Sequence, residues 1–321
     1  MTALVVQGDL LASAEILARL KSKEDGSSFD TATSTDTTSA TTGAHVVILS
    51  GFPCCVTQNP PTETDGPPGT FAIAFAAVGL GHKVTVVTDK CNHDVFRAAM
   101  KEQEETTTTG TAKLNLVAFP DEQNMSPTDY QDLKQLALSA DLVIACERAG
   151  PAADGQCYTM RGINMNEKGL IAPLHQIVEF ARENNKKFIA IGDGGNEMGM
   201  GKVIESIHKH IPKGEMIGAV TVADHLVAAS VSNWGGYALA AAAALVRCND
   251  DDGIDDEDKG RTKWVEQCVP TEIDEVALLE RCVKAGCRDG VSGEMEATVD
   301  GMPLETSMKC LRDIRDAALN L

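Results

Sequence analysis

Short runs of β-branched and other apolar residues alternate along the chain with segments in which apolar residues recur at helical spacing. The apolar runs are short and lie between polar or glycine-rich stretches, which is typical of strands buried on both faces. The predicted strands are 45–50, 83–88, 113–118, 142–146, 187–191 and 216–222. The predicted helices are 68–78, 94–101, 127–139, 173–184, 202–210, 234–246, 272–284 and 304–318, the last two flanking a short hairpin around 295–300.

This alternation predicts a doubly wound α/β fold, a mostly parallel sheet with helices on both faces and the active site at the carboxyl ends of the strands. We predict an N-terminal helix within 1–21, a disordered Ser/Thr-rich insertion at 22–43 and a single α/β catalytic domain at 44–321. Flexible loops are expected at 104–111 and 249–260. Such polar segments bury too little apolar surface to order themselves, so the chemistry is expected elsewhere.

Charge and composition narrow the functional classes. The chain has 321 residues with 47 acidic against 28 basic side chains, a net charge of -19, which repels nucleic-acid phosphates and excludes that class of partner. Ten cysteines without Cys-x-x-Cys spacing indicate reduced thiols. No secretory signal or membrane-spanning apolar run is found. We expect a cytoplasmic protein away from membranes, with the mitochondrial matrix as the alternative and a homo-oligomer left open.

Acidic residues follow the predicted strands one after another. A lone carboxylate at a strand end commonly caps a helix or a turn. Several in one crevice are different, because two carboxylates about 4 Å apart repel by roughly 4 kcal/mol at an effective dielectric of 20. A divalent cation, Mn²⁺ or Mg²⁺, would neutralise them, since hard oxygen ligands favour such ions over zinc. The predicted metal ligands are Asp65, Glu147, Asp193, Glu197 and Asp224, and the predicted catalytic residues are Glu63, Asp154 and Glu197.

A glycine-rich segment at 192–202 lets the backbone approach a ligand closely and then opens a helix. It is not a phosphate-binding P-loop, because Val203 follows Lys202 where Ser or Thr is required, and no Gly-x-Gly-x-x-Gly dinucleotide spacing fits it. A small anionic substrate remains the expected ligand. Its predicted binding residues are Arg148, Arg161, Asn196, Tyr158, Ser232 and Asn233. The alternatives are that each arginine pairs with a neighbouring carboxylate and that Ser232 is a helix cap.

Several long motifs resemble one family. They are ETDGPPG at 63–69, ERAGPAADG at 147–155, YTMRG at 158–162, IGDGGNEMGMG at 191–201, ADHLV at 223–227 and VSNWGG at 231–236. Together they closely resemble the C-terminal domain of the D-glutamate cyclase family over about 44–247, and more loosely at 289–290 and 299–301. The resemblance implies a lyase that interconverts D-glutamate and 5-oxo-D-proline. Members of that family can also contain an N-terminal hydro-lyase-like domain, which we do not find in this sequence.

The residues themselves leave two other functions open. A metal ion that polarises an oxygen and lowers the pKa of bound water serves cyclisation and hydrolysis alike. A Mn- or Mg-dependent phosphatase acting on small phosphorylated metabolites is therefore one alternative. The other is a non-catalytic metal or metabolite sensor, which would use the same carboxylates but keep no position open for substrate.

Overall fold

The computed structural model describes residues 4–22, 43–100, 114–251, 253 and 256–321. The predicted insertion at 22–43 lies almost wholly outside the described residues, and the predicted loop at 104–111 lies entirely outside them. Within the described residues no helix is long and apolar enough to cross a membrane.

A six-stranded parallel sheet forms the centre of the protein, which confirms the predicted α/β class. The strands are β1 His45–Gly51, β2 Lys83–Asp89, β3 Leu114–Phe119, β4 Leu142–Arg148, β5 Lys187–Gly192 and β6 His225–Ala228. Their spatial order is β3-β2-β1-β4-β5-β6, and every neighbouring pair is parallel. The chain therefore winds outward in both directions from β1 and β4, the arrangement that leaves a crevice at their carboxyl ends.

Helices cover both faces of the sheet. On β1, Val46 and Ile48 point into one apolar core and Val47 and Leu49 into the other, because successive side chains of a strand alternate between faces. The helices are α1 Asp9–Ala18, α2 Pro67–Gly79, α3 His93–Met100, α4 Pro127–Ser139, α5 His175–Glu183, α6 Ile204–His210, α7 Gly214–Ile217, α8 Ser232–Asn249, α9 Glu257–Cys268, α10 Glu272–Lys284 and α11 Leu304–Leu319. The first core is closed by α1, α2, α3, α8 and α10, and the second by α4, α5 and α6.

The sixth strand was predicted at the wrong place. Residues 214–217 form the short helix α7, and the strand is the four-residue segment β6 that follows Asp224. The predicted run at 216–222 is apolar, but Met216, Val220 and Val222 are each about half exposed (46%, 45% and 45%) and do not enter the sheet. A strand of four residues beginning with histidine carries too weak an apolar signal to be recognised in the sequence.

The predicted loop at 249–260 is partly helical. Helix α9 begins at Glu257, and the side chain of Asp256 caps it by accepting a hydrogen bond from the backbone N–H of Lys259. Glu257 and Asp258 lie in the first turn, where negative charge suits the helix dipole. Part of the acidic run is therefore a helix start. The hairpin predicted around 295–300 is reduced to one bridge between Val299 and Met302.

Helix α1 is docked on the edge of the sheet through Asp9. The Asp9 carboxylate accepts hydrogen bonds from the backbone N–H of Leu226 in β6 (2.7 Å) and from Nζ of Lys202 (2.6 Å). Leu17 of the same helix is fully buried in the first core. The N-terminal helix thus packs as part of the sheet's covering layer.

We expect Asp9→Ala to lower the free energy of unfolding by about 2–3 kcal/mol, because it leaves the Leu226 amide without its acceptor and removes the carboxylate that pairs with the Lys202 ammonium. Urea denaturation followed by circular dichroism measures this. Glu15→Ala is the matched control on the same helix, since the solvent-exposed pair of Glu15 with Arg19 contributes little to stability. Equal losses in the two variants would contradict the docking role of Asp9.

Candidate functional site

An acidic pocket lies at the carboxyl ends of β1 and β4, where the strand order reverses. Open parallel sheets bind their ligands at this position. The pocket has a volume of about 260 Å³, which suits a small metabolite. Of the described residues that line it, Arg161 alone carries a positive charge. Six carboxylates line it: Glu63, Asp65, Glu147, Asp193, Glu197 and Asp300.

Asp65 and Asn233 cap two helices reciprocally. The Asp65 carboxylate accepts hydrogen bonds from the backbone N–H groups of Ser232 and Asn233 at the start of α8, both at 2.8 Å. In return, Oδ1 of Asn233 accepts from the N–H groups of Gly66 (2.9 Å) and Gly69 (2.8 Å) at the start of α2. A Cβ at Gly69 would lie 2.7 Å from Cα of Asn233, so only glycine permits this approach. The two motifs around 63–69 and 231–236 therefore form one structural unit.

Glu147 points into the pocket because β4 is irregular at its end. The pairing of β1 with β4 shifts register between Ser50 and Gly51. At the shift Glu147 has φ +43°, in the left-handed region that costs a non-glycine residue about 1–2 kcal/mol. Its Oε2 accepts a hydrogen bond from the hydroxyl of Ser232 at 2.5 Å. Backbone strain of this kind persists where the surrounding structure enforces it, and it concentrates at functional sites.

Glu197 folds the glycine-rich loop that follows β5. Its carboxylate accepts hydrogen bonds from the backbone N–H groups of Asp193 (3.1 Å), Gly194 (2.5 Å) and Gly195 (2.6 Å). The loop is thereby wrapped around Glu197, with Asp193 at the pocket wall. Next to it, the side-chain amide of Asn196 donates to the backbone carbonyl of Tyr158 at 2.7 Å and ties in the loop that carries Arg161.

Three of the carboxylates are close enough to share one metal ion. One oxygen each of Asp65, Glu147 and Asp193 lies within 4.8 Å of the others. Ligand oxygens around an octahedral Mg²⁺ are about 2.9 Å apart when adjacent and about 4.1 Å apart when opposite. Small side-chain movements would therefore bring the three oxygens to the distances at which they bind one ion. The hydrogen bonds from Ser232 and the backbone amides orient these ligands from behind, as outer partners do in metal sites.

The tail of the chain contributes a carboxylate that the sequence analysis did not select. Residues 62–64 pair with the tail, since the N–H of Thr64 donates to the carbonyl of Arg288 at 2.8 Å. The buried carboxylate of Asp289 then accepts from the N–H groups of Val291, Ser292 and Gly301, which shapes the loop that brings Asp300 to the pocket. In the sequence, only the Asp-Gly pairs at 289–290 and 300–301 pointed to a role for this part of the tail.

Cys54 is a second lining residue that the sequence analysis missed. Its thiol donates a hydrogen bond to Oε2 of Glu63 at 3.2 Å. A cysteine in an irregular loop carries no periodic or motif signal, so only the fold reveals this contact.

Burial and crowding raise the pKa values of the cluster. Burial, followed by the charge of Asp300, raises the pKa of Asp65 to about 8, and burial raises the pKa of Asp300 to about 6. Burial is also the largest cause of the pKa values of Glu63, Glu147 and Asp193 lying well above their ordinary values, and neighbouring carboxylates add to it. A bound cation would favour the ionised forms instead.

The structure corrects the assignment of Asp224 as a metal ligand. That assignment depended on the misplaced sixth strand: Asp224 precedes β6 and lies at the amino ends of the strands, opposite the pocket. Its carboxylate accepts from the N–H of Phe188 at 2.8 Å and lies 3.4 Å from Nζ of Lys187. These contacts join β5 to the segment before β6.

Arg148 is likewise corrected from a substrate-binding residue to a structural one. It is 1% exposed, and its guanidinium donates to the carboxylate of Asp89 and to the carbonyls of Gly51 (3.2 Å) and Ala172 (2.9 Å). The alternative that this arginine pairs with a carboxylate is therefore correct.

Four other predicted residues also lie outside the pocket lining. The exposed carboxylate of Asp154 accepts a hydrogen bond from the hydroxyl of Tyr158 at 2.5 Å, so these two bind each other. Ser232 and Asn233 contact Glu147 and Asp65 from behind rather than facing the pocket. In the structure, Asp154 and Tyr158 therefore contact each other, and Ser232 and Asn233 hold pocket residues instead of lining the pocket.

Arg161 and Asn196 are the predicted substrate-binding residues that the structure does bring to the pocket. Arg161 is exposed, and its Nη2 donates to the carbonyl of Val291 at 2.9 Å, which places the guanidinium at the tail loop. Nζ of Lys213 donates to the Arg161 carbonyl at 2.5 Å and holds its backbone.

Comparisons with known proteins found a matching family model and a similar curated protein. A family model described as "D-glutamate cyclase-like, C-terminal" matches residues 1–315. The chain is also 33% identical over 283 residues to the human protein named "D-glutamate cyclase, mitochondrial". That alignment covers 82% of this chain and 44% of the relative, so the chain spans less than half the length of the curated relative.

We expect the metal-free protein to lose stability as the pH rises from about 4 to about 8. The unfolded carboxyls titrate near pH 4, whereas the folded pKa values are about 8 for Asp65 and about 6 for Asp300. The folded state thus holds more protons in this window, and its advantage disappears as they leave. Tm measured by calorimetry in chelator should fall across this range, less steeply in Asp300→Asn. A Tm that rises from pH 5 to 8 would contradict the repelling cluster.

Arg148→Met should lower the free energy of unfolding by about 3–5 kcal/mol, because it leaves the buried Asp89 charge without its partner. Urea denaturation gives the value. Arg161→Met is the matched control and should change stability little, since its guanidinium is exposed. A stable Arg148→Met variant with weakened ligand binding would restore the substrate-binding role.

Proposed function

This chain belongs to the D-glutamate cyclase-like, C-terminal family, and from this premise we propose that its acidic pocket interconverts D-glutamate and 5-oxo-D-proline with a divalent metal ion, Mn²⁺ or Mg²⁺. The observation that supports the proposal most is the triad of Asp65, Glu147 and Asp193 at the point of strand reversal. Three carboxylates buried this close together are stabilised by a cation.

The metal is assigned to this triad on the chemistry of the donors. Carboxylate oxygens without histidine or cysteine select hard ions. When bound, such an ion polarises a substrate carboxyl or lactam oxygen and stabilises the charge that develops there. The ligand role of Glu197 stays a prediction, and its three backbone hydrogen bonds make holding the loop its main task.

Arg161 and Asn196 are assigned to the substrate's α-carboxylate. A guanidinium binds a carboxylate through two parallel hydrogen bonds, which fixes orientation as well as position. Glutamate carries two carboxylates, and the acidic wall of the pocket repels both. Arg161 would therefore bind the α-carboxylate, and Asp65, Glu147 and Asp193 would hold the cation that offsets the charge of the other carboxylate.

Glu63 is assigned to proton transfer. Cyclisation forms a bond between the α-nitrogen and the carbon of the γ-carboxylate, breaks one of that carbon's bonds to oxygen and releases water. Two protons leave the nitrogen and both reach the departing oxygen, and Glu63 accepts each from the nitrogen and passes it to that oxygen. A carboxyl whose pKa is raised by burial, as that of Glu63 is, suits this exchange near neutral pH. Ring opening uses the same groups in reverse.

The phosphatase alternative receives no support from the two matches, both of which are to D-glutamate cyclase proteins. The sensor alternative predicts that the pocket binds a metal ion or a metabolite but catalyses no reaction. The relative's name places that protein in mitochondria, which supports the mitochondrial matrix as the alternative to the cytoplasm for this chain.

We expect the protein with Mn²⁺ to interconvert D-glutamate and 5-oxo-D-proline in a proton NMR assay, and Asp193→Asn to lose at least about 100-fold in kcat. The metal-free Asp193→Asn protein should melt at or above the wild-type temperature, because the change removes a repelling charge. Asp154→Asn, outside the pocket, is the control that should keep its activity.

A phosphate-release screen on small phosphoesters accompanies this assay. Metal-dependent phosphate release that Asp193→Asn removes, with no lactam formed or opened, would overturn the cyclase function in favour of the phosphatase. Metal binding with neither reaction would favour the sensor.

A further inference from the structure

Two neighbouring thiols lie at the wall of the acidic pocket. Cys54 and Cys55 follow β1, both are half-buried, and their sulfur atoms are 3.9 Å apart. Cys54 lines the pocket, whereas Cys55 is not one of its lining residues. The function proposed above assigns neither thiol a role.

The spacing of the two sulfurs fits a bridging atom better than a direct bond. Neighbouring Cα atoms are about 3.8 Å apart, below the span of about 4.4–6.8 Å that disulfides usually require. A soft trivalent atom that binds two sulfurs at about 2.3 Å, with the angle of about 100° of a pyramidal centre, holds them about 3.5 Å apart, near the 3.9 Å found. The pair is thus arranged to share one thiophilic atom with little backbone movement.

The contact between Cys54 and Glu63 connects this pair to the pocket. The Cys54 thiol donates to Oε2 of Glu63 at 3.2 Å. The tail loop presses on both groups: a Cβ at Gly290 would lie 2.0 Å from that oxygen and 3.2 Å from the sulfur. A sulfur drawn toward Cys55 and stripped of its proton can no longer donate to Glu63.

We propose that Cys54 and Cys55 form a dithiol site for trivalent arsenic compounds, and that occupation of this site stops the chemistry of the pocket by removing the hydrogen bond that positions Glu63. With an arsenoxide, two S–H bonds break, two As–S bonds form, and the oxygen leaves as water with both protons. No oxidation or reduction is involved. The binding half stands alone, whereas the loss of turnover rests on the proposed function.

Binding is tested with phenylarsine oxide and intact-protein mass spectrometry. The wild type should take up one phenylarsenic group per chain, and 2,3-dimercaptopropanol should remove it while a monothiol does not. Cys55→Ala should lose this uptake. Cys91→Ala is the matched control, because Cys91 is another half-buried thiol that lies away from the pocket lining, and it should bind as the wild type does. Uptake by Cys55→Ala equal to the wild type would overturn the dithiol site.

Turnover is tested on the same proteins by the NMR assay. One equivalent of reagent should lower wild-type turnover at least tenfold, reversibly, and leave Cys55→Ala unaffected. Cys54→Ala should lower kcat at least tenfold without reagent, and Cys54→Ser, which keeps a donor to Glu63, should recover most of it. Uptake with unchanged turnover, or equal kcat in the serine and alanine variants, would overturn the coupling to Glu63. Untreated wild type without turnover would contradict the proposed function alone, since mass spectrometry still judges the dithiol site.

Discussion

The reciprocal capping of α2 by Asn233 and of α8 by Asp65 is the interaction on which the rest of the site depends. The N-terminal N–H groups of a helix need partners, and here each helix takes them from a side chain at the N-terminal end of the other. The exchange joins the segment after β1 to the segment after β6, 167 positions apart in the chain. It also places Asp65 beside the end of β4, and the hydroxyl of Ser232 then fixes Glu147.

A cluster of buried carboxylates opposes folding, and this protein tolerates it by supplying backbone donors instead of cations. Asp65, Glu197 and Asp289 each accept hydrogen bonds from two or three main-chain N–H groups. Such donors stabilise a negative charge without filling the pocket or neutralising it completely. The remaining repulsion and the strained backbone of Glu147 reduce stability at a site suited to a cation, the usual conflict between stability and function.

Glu147 and Arg148 show how one bulge separates two functions. They are neighbours at the end of β4, and the register shift sends the acid into the pocket and the arginine into the interior. There Arg148 binds Asp89 and two carbonyls, which fixes the ends of β1, β2 and β4 relative to one another. A regular strand would also have placed the two side chains on opposite faces, but without the turn that directs Glu147 toward Asp65 and Asp193.

The sequence by itself determined the α/β class, five of the six strands, the bounds of α4 and α10, and the triad of Asp65, Glu147 and Asp193. These depend on local patterns: apolar periodicity, capping residues, and the rule that parallel strands end on one edge. Tertiary structure decided which charged side chains reach the pocket and can contact a ligand there. Arg148 binds Asp89 in the interior, and Asp224 lies at the opposite edge of the sheet, before a four-residue strand. Asp300 reaches the pocket because the tail pairs with residues 62–64, and Cys54 lines it from the loop after β1. Such contacts join residues distant in the chain, so their partners leave no periodic trace in either segment.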